Sequence, residues 1–431
     1  MKMNKILKQF HYFKRLISIS PTIAAKKALA KLIKKIILTK QYNYIKIKST
    51  YLKDLNLNIK LKSYFKIPDI KSLENNKDSI LKLAHLIIEH KFNYLGSGWI
   101  DANIKILPND FFDNNCNFQD LKAYILEKRI NQSNREETKR IINLIELPYE
   151  FIDWSKDFRS CYSWNPQLLS KKIVYGVGDG NDIKIPWELG RMQHLPLLAL
   201  AEIINLKVKI GSKAVYFKEF QNQILDFIAC NPVGYGVHWI SSMDCSIRAI
   251  NWLLSYDLFK SAGLNMHDDI EEVFIQSLFE HCLHIFKNPE WSSGLRGNHY
   301  LTNLSGLIFI SSYLYNKRTS GIFDYALKSF INELDYQFNN DGSYFEASTA
   351  YHCYAVEVLI WTTSIIIKSI ENINLTKKQV MLRDKFLSLL TIKLPKILDF
   401  TNNIIDDTGY LIQIGDNDSG RLIKLSPELF S

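Results

Sequence analysis

Two short stretches of this 431-residue chain combine hydrogen-bond donors with groups that move protons. In Pro289-Glu-Trp-Ser-Ser-Gly-Leu-Arg-Gly-Asn298-His299-Tyr-Leu-Thr-Asn303-Leu, a loop with two glycines delivers Asn298 and His299 to the start of a predicted helix. A helix start concentrates unsatisfied N–H groups, here joined by an amide and an imidazole, and such a set suits a developing anion. The plainer reading is that Asn298 caps the helix, an ordinary job for Asn. Tyr351 follows Asn298 by fifty-three residues, and its stretch Asp341-Gly-Ser-Tyr-Phe-Glu346-Ala-Ser-Thr-Ala-Tyr351-His352 is again a glycine turn feeding a helix, with Ser348 or Thr349 as N-cap. Alone, Tyr351 and His352 read equally well as aromatic packing beside a half-exposed imidazole. If the fold brings both stretches to one cavity, they form a constellation for proton transfer.

Other polar clusters lack the geometry of known sites. Gly176-Val-Gly-Asp-Gly180 has neither the spacing of a dinucleotide loop nor the Lys-Ser/Thr of a phosphate loop. Glu280-His281-Cys-Leu-His284 sets two histidines three apart without the H-E-x-x-H order of a zinc site. Asp416-Asn-Asp418-Ser-Gly420 imitates a calcium loop, yet its glycine comes one position early and its twelfth position is Pro427 instead of a bidentate Glu. A structured turn is expected there, and neither a metal nor a cofactor is implied.

Helices must position these residues. Met243, Ile247, Ile250, Leu254 and Leu258 step by 4, 3, 4 and 4 into one apolar stripe, with Asp244, Arg248, Asn251 and Ser255 opposite. A polar stripe carrying Arg and Asn is expected to face a cavity. The same periodicity predicts helices at about 191–205, 213–230, 268–287, 298–316, 319–338, 349–371 and 376–396, paired through short loops much as in helical solenoids. Residues 60–185 are less regular. After Leu394 and Pro395, glycine, Asp and Asn alternate with the short apolar runs Tyr410–Ile414 and Leu422–Leu425, which predicts turns and short strands. The expected organisation is a basic helical arm at 1–60, a helical domain at 61–398 and the start of a β-rich region at 399–431.

With 47% hydrophobic and 23% charged residues the chain has a globular balance. Glu357, Thr362, Thr363 and Lys368 interrupt its longest apolar stretch, short of the roughly 18–20 residues of a spanning helix. The formal charge is +10, but residues 1–60 alone hold 15 Lys or Arg against Asp54, so the remainder is slightly acidic. That distribution argues against a nucleic-acid binder. Around Ile23, Ala24, Ala28, Leu32 and Ile36 the arm reads as a basic amphipathic helix, either a peripheral contact to an anionic membrane or polymer or a solvated extension. Leu16–Ala25 makes a weak signal segment, broken by Pro21. Six scattered cysteines read as reduced, mostly buried thiols. Bacterial cytoplasm and periplasm both stay open.

Five stretches, in order over about residues 90–423, resemble the heparinase II/III-like polysaccharide lyases, including the alginate and oligoalginate lyases of that fold. They are Asp182-Ile-Lys-Ile-Pro-Trp187-Glu188-Leu-Gly-Arg191-Met-Gln193-His194; Trp239–Trp252; Arg296-Gly-Asn298-His299; Asp341-Gly-Ser-x-x-Glu346 through Tyr351-His352; and Gly415-Asp-Asn-Asp-Ser-Gly-Arg421. The resemblance implies a chain that is all-α for most of its length, an incomplete α/α toroid of helical hairpins followed by a β-sandwich, with the active site between them. It implies that Asn298 neutralises a uronate carboxylate, that Tyr351 is the catalytic acid or base, and that His299 lines the same site. Glu188, Arg191, Gln193, His194, Arg248 and His352 are the implied substrate contacts.

Such lyases usually draw a second catalytic His or Tyr from the β-sandwich, whereas no histidine follows His352 here. The β-domain is expected to be largely absent, or supplied as a separately encoded polypeptide. The leading expectation is a lyase, or its toroid portion, acting on an acidic polysaccharide. A non-catalytic glycan-binding scaffold is the alternative, followed by a glycoside hydrolase using a pair among Glu188, Asp341, Glu346 and Asp416.

Overall fold

Helices form where the apolar periodicity places them, with most ends within a few residues of expectation. A computed structural model describes residues 60–67, 71–105, 118–176, 178–208, 214–292, 296–316, 319–372, 376–418 and 420–425. The chain divides into Met1–Asn58 and Ile59–Ser431. The first unit lies outside the described residues, and with it the basic amphipathic helix; so do Cys116 and Pro427.

After a single turn at Lys71–Glu74, the helices are α1 (Lys77–Ile88), α2 (Phe118–Tyr124), α3 (Arg135–Ile142), α4 (Lys184–Gly190), α5 (Leu195–Val208), α6 (Val215–Cys230), α7 (Ser242–Ser261), α8 (Asp268–Lys287), α9 (Asn298–Tyr313), α10 (Ser320–Gln337), α11 (Thr349–Asn372) and α12 (Lys377–Asn403). Helices α1, α5, α7, α9 and α11 pack successively side by side, and α6, α8, α10 and α12 lie behind them. This two-layered arc of hairpins is an incomplete α/α toroid. Among the described residues the one sheet is the antiparallel pair β1 (Lys91–Phe92) and β2 (Ile100–Asp101).

The inner position of α7 and α9 explains their composition. Helix α7 is buried on every side from Ser242 to Phe259, and α9 is buried from Asn298 to Tyr313 except at His299. A Cβ on Gly306 of α9 would stand 2.5 Å from the Ser246 Cβ of α7, so these two helices cross in close contact. Helix α11 is long and apolar enough to cross a membrane, yet half of its most apolar window is buried inside this fold.

Two expectations need correction. Helix α12 does not stop at Pro395 but continues to Asn403, because Pro removes one N–H while Ile397, fully buried beyond it, anchors the last turns. The runs at 410–414 and 422–425 do not form a sheet. They are extended chain with one isolated bridge, Ile405 to Leu411, and they bond to helix starts and side chains. The Ile414 carbonyl accepts from Thr349 N–H at 3.0 Å, and the Ser348 hydroxyl donates to the Asp416 carbonyl at 2.5 Å.

The chain around Leu422 is held by three elements. Gln193 Nε2 donates to the carbonyls of Arg421 and Leu422, and Asn251 Nδ2 donates to the Leu422 carbonyl at 2.8 Å. Glu357 of α11 accepts from the N–H groups of Leu422 and Ile423, each at 3.0 Å. Buried amides rarely go unpaired, so these polar side chains define the path of the segment.

Candidate functional site

Asn298 is the first residue of α9, and Gly297 occupies the cap position. The capping reading therefore fails: the Asn298 side chain makes no cap bond. Its backbone N–H and its Nδ2 both donate to Glu346 Oε2, at 3.1 and 2.7 Å. Glu346 comes so close that a Cβ on Gly297 would overlap its carboxylate. The preceding turn is fixed from α10, where Glu333 takes a two-point ion pair from Arg296 at 2.6 and 3.0 Å. Gln337 Nε2 donates to the Arg296 carbonyl at 3.0 Å.

His299 is half exposed, and its Nδ1 lies 3.2 Å from Glu290 Oε1. Burial lowers its pKa, but the bond to and charge of Glu290, helped by Asp244 and Glu346, leave it raised above the ordinary value. Tyr351 lies in the first turn of α11, capped by Ser348, whose Oγ accepts from Tyr351 N–H at 3.1 Å. Its phenol is raised by partial burial and then by Asp418, Asp416 and Glu346. Glu346 is thus bonded to Asn298 and within electrostatic reach of both His299 and Tyr351. The charge of Glu346 therefore bears on all three residues expected to do chemistry.

The residues expected to hold substrate divide. Arg191 pairs with Glu188 of α4 and donates through Nε to Asp244 Oδ1 at 2.6 Å. Asp244 in turn acts on His299, and Lys424 approaches Glu188 Oε2 at 3.9 Å. Glu188 and Arg191 therefore reach the His299 region through Asp244.

Four others are drawn elsewhere. Arg248 is fully buried, stacked over Phe227 and donating to His281 Nε2 at 2.9 Å and the Gly190 carbonyl at 3.1 Å. Its stripe of α7 faces protein, not a cavity. His352 is buried against Phe400, with Nε2 at 2.8 Å from Thr401 Oγ1, and burial holds its pKa at about 4. Gln193 is spent on the Leu422 segment. His194 bonds Gln223 at 2.7 Å and lies 3.3 Å from the Tyr94 hydroxyl, with its pKa lowered to about 4 by burial. These four are bonded within the protein interior.

Sequence reasoning passed over Asp244, Glu290 and Lys424. Asp244 was visible as the first member of the α7 polar stripe, and Glu290 as the carboxylate nine residues before His299. Nothing local marks Lys424.

The family described as Heparinase II/III N-terminus matches residues 105–381, well over half of the chain. The chain belongs to that family. No curated protein sequence matches it. Among solved structures, the heparinase II/III-like chain is similar to a heparinase III gene product, at 17% identity and a TM-score of 0.40, covering 81% of this chain and 49% of that one. It is also similar to the heparan sulfate lyase HepC from Pedobacter heparinus, at 18% identity and a TM-score of 0.38, covering 68% and 44%. The chain spans about half the length of the solved structures it matches.

Proposed function

We propose that this chain is the toroid portion of a polysaccharide lyase, cleaving an acidic, uronate-containing glycan by β-elimination. The observation that carries the reading is Asn298 at the start of an inner helix, bonded twice to Glu346, a carboxylate whose charge also bears on His299 and Tyr351. Elimination removes the proton on C5 beside a carboxylate. The carbanion is accessible only where donors quench the charge that builds on the carboxylate oxygens. In this reading the Asn298 amide supplies the donor, turning from Glu346 to the uronate carboxylate when substrate binds. Tyr351, whose proton is held on by partial burial and then by the charges of Asp418, Asp416 and Glu346, serves as the acid that protonates the departing glycosidic oxygen. Glu188, Arg191 and Lys424 form the charged flank along which the acidic chain lies.

A hydrolase built on Glu346 is disfavoured, since that carboxylate is tied to Asn298 twice over. The test is incubation with heparan sulfate and, separately, with a polyuronate. A conjugated unsaturated sugar absorbing in the near-UV is the expected product. New reducing ends without the chromophore, or binding without cleavage, would overturn the proposal.

A further inference from the structure

We infer that Glu290 is a positioning residue for His299, fixing the imidazole with its Nδ1–H on the carboxylate and leaving Nε2 of the half-exposed ring as the group that accepts a proton. The inference deepens the lyase reading and rests on it for the identity of that proton. Its geometric part stands independently.

A half-exposed His–Glu pair on a surface contributes little by itself. What sets this pair apart is how the carboxylate is held. Glu290 Oε2 accepts from the backbone N–H of Met243, in the first turn of α7, at 2.7 Å. The same oxygen accepts from Asn303 Nδ2 at 3.2 Å, while Glu290 N–H donates back to Asn303 Oδ1 at 2.8 Å. Asn303 lies one turn beyond His299 on α9. The loop is further tied by Ser242, whose hydroxyl donates to the Asn288 carbonyl at 2.7 Å. With Oε2 taken by two donors, Oε1 remains directed at His299 Nδ1 at 3.2 Å.

A carboxylate fixed in this way selects one tautomer and one ring orientation, and it stabilises the imidazolium that forms when Nε2 takes up a proton. The balance is simple: the C–H bond at C5 breaks, its electron pair enters the new double bond as the glycosidic C–O bond breaks, and the proton passes to His299 Nε2. The leaving oxygen takes a proton from Tyr351. The charged groups facing His299 are Glu290 from its own loop, Asp244 from α7 and Glu346 from the turn before α11. All three are acidic and favour the imidazolium, and only Glu290 is bonded to the ring.

The experiment is nitrogen-15 NMR of the histidine rings in the intact protein, with His299→Gln assigning the signal. Wild-type His299 should show the Nδ1–H tautomer when neutral, the minority form of free histidine. In Glu290→Gln its pKa should fall, because a negative charge has been removed while an acceptor oxygen is kept. Glu290→Asp, which keeps the charge, should fall less and controls for disturbed folding. An Nε2–H tautomer, or identical titration in wild type and Glu290→Gln, would overturn the inference. With an eliminated substrate, Glu290→Gln should lower kcat about tenfold with KM little changed and move the acid limb of the pH profile down. A KM effect alone would reduce Glu290 to a substrate contact. Absence of elimination by the wild type would count against the lyase reading, with the NMR result still deciding the geometry.

Discussion

Asn298 and Tyr351 are the side chains on which the proposed chemistry depends. Asn298→Ala and Tyr351→Phe should each cut turnover by at least about 10²-fold, the scale for losing an oxyanion donor or a placed acid. Both proteins should remain folded, because the first loses one side-chain bond, to Glu346, worth about 1.5–3 kcal/mol, and the second keeps its ring. Steady-state kinetics beside far-UV circular dichroism would check this. Gly297→Ala should lower kcat about tenfold or more without touching substrate, since its Cβ would displace Glu346 from Asn298. Glu346→Gln, which keeps an acceptor, should preserve much of the activity. The residue types at this site were legible in the sequence, but their aim was legible only in part. Tyr351 and His352 are adjacent on one helix, so their side chains diverge. Sequence order cannot say where each points, and the fold gives His352 to Thr401 and Phe400.

The helices were the most readable feature, because an apolar repeat records which side of a segment is covered. It does not record what covers the other side. On an outer helix the polar stripe meets water; on α7 it meets Arg191, His281 and the Leu422 carbonyl, so the stripe was visible and its surroundings were not. Pro395 misled for a related reason: local chemistry argued for a stop, and the packing of Ile397 prevailed. Where α7 and α9 cross, Gly306→Ala should lower stability by about 1–3 kcal/mol, measured by urea unfolding, because the added methyl meets Ser246 with no room to yield. An unchanged midpoint would show that the two helices separate freely.

For the protein as a whole, acid should be the vulnerable direction. Burial lowers His352 and His194 to about 4 and His238 to about 3, below the usual 6.5. A histidine depressed in the folded state contributes stability that is present above pH 6.5 and is lost as pH falls toward its folded value. Asp226, pushed up to about 6 by burial, works the other way, so single variants isolate the effect. The stability of wild type relative to His352→Phe, from urea unfolding, should fall by up to about 3 kcal/mol between pH 6.5 and 4. A constant difference would mean that His352 titrates normally. Deleting residues 1–40 should leave this behaviour and any glycan cleavage intact while weakening salt-sensitive attachment to anionic vesicles, read by cosedimentation. The Leu422 segment also bears on how the molecule is made. Gln193, Asn251 and Glu357 leave the ribosome well before the peptide groups they grip. A nascent chain can stack its hairpins as they emerge, yet the bonds from these three side chains to the segment cannot form until synthesis passes residue 423. The inner helices should therefore gain full resistance to proteolysis late and together, with the arrival of the Leu422 segment.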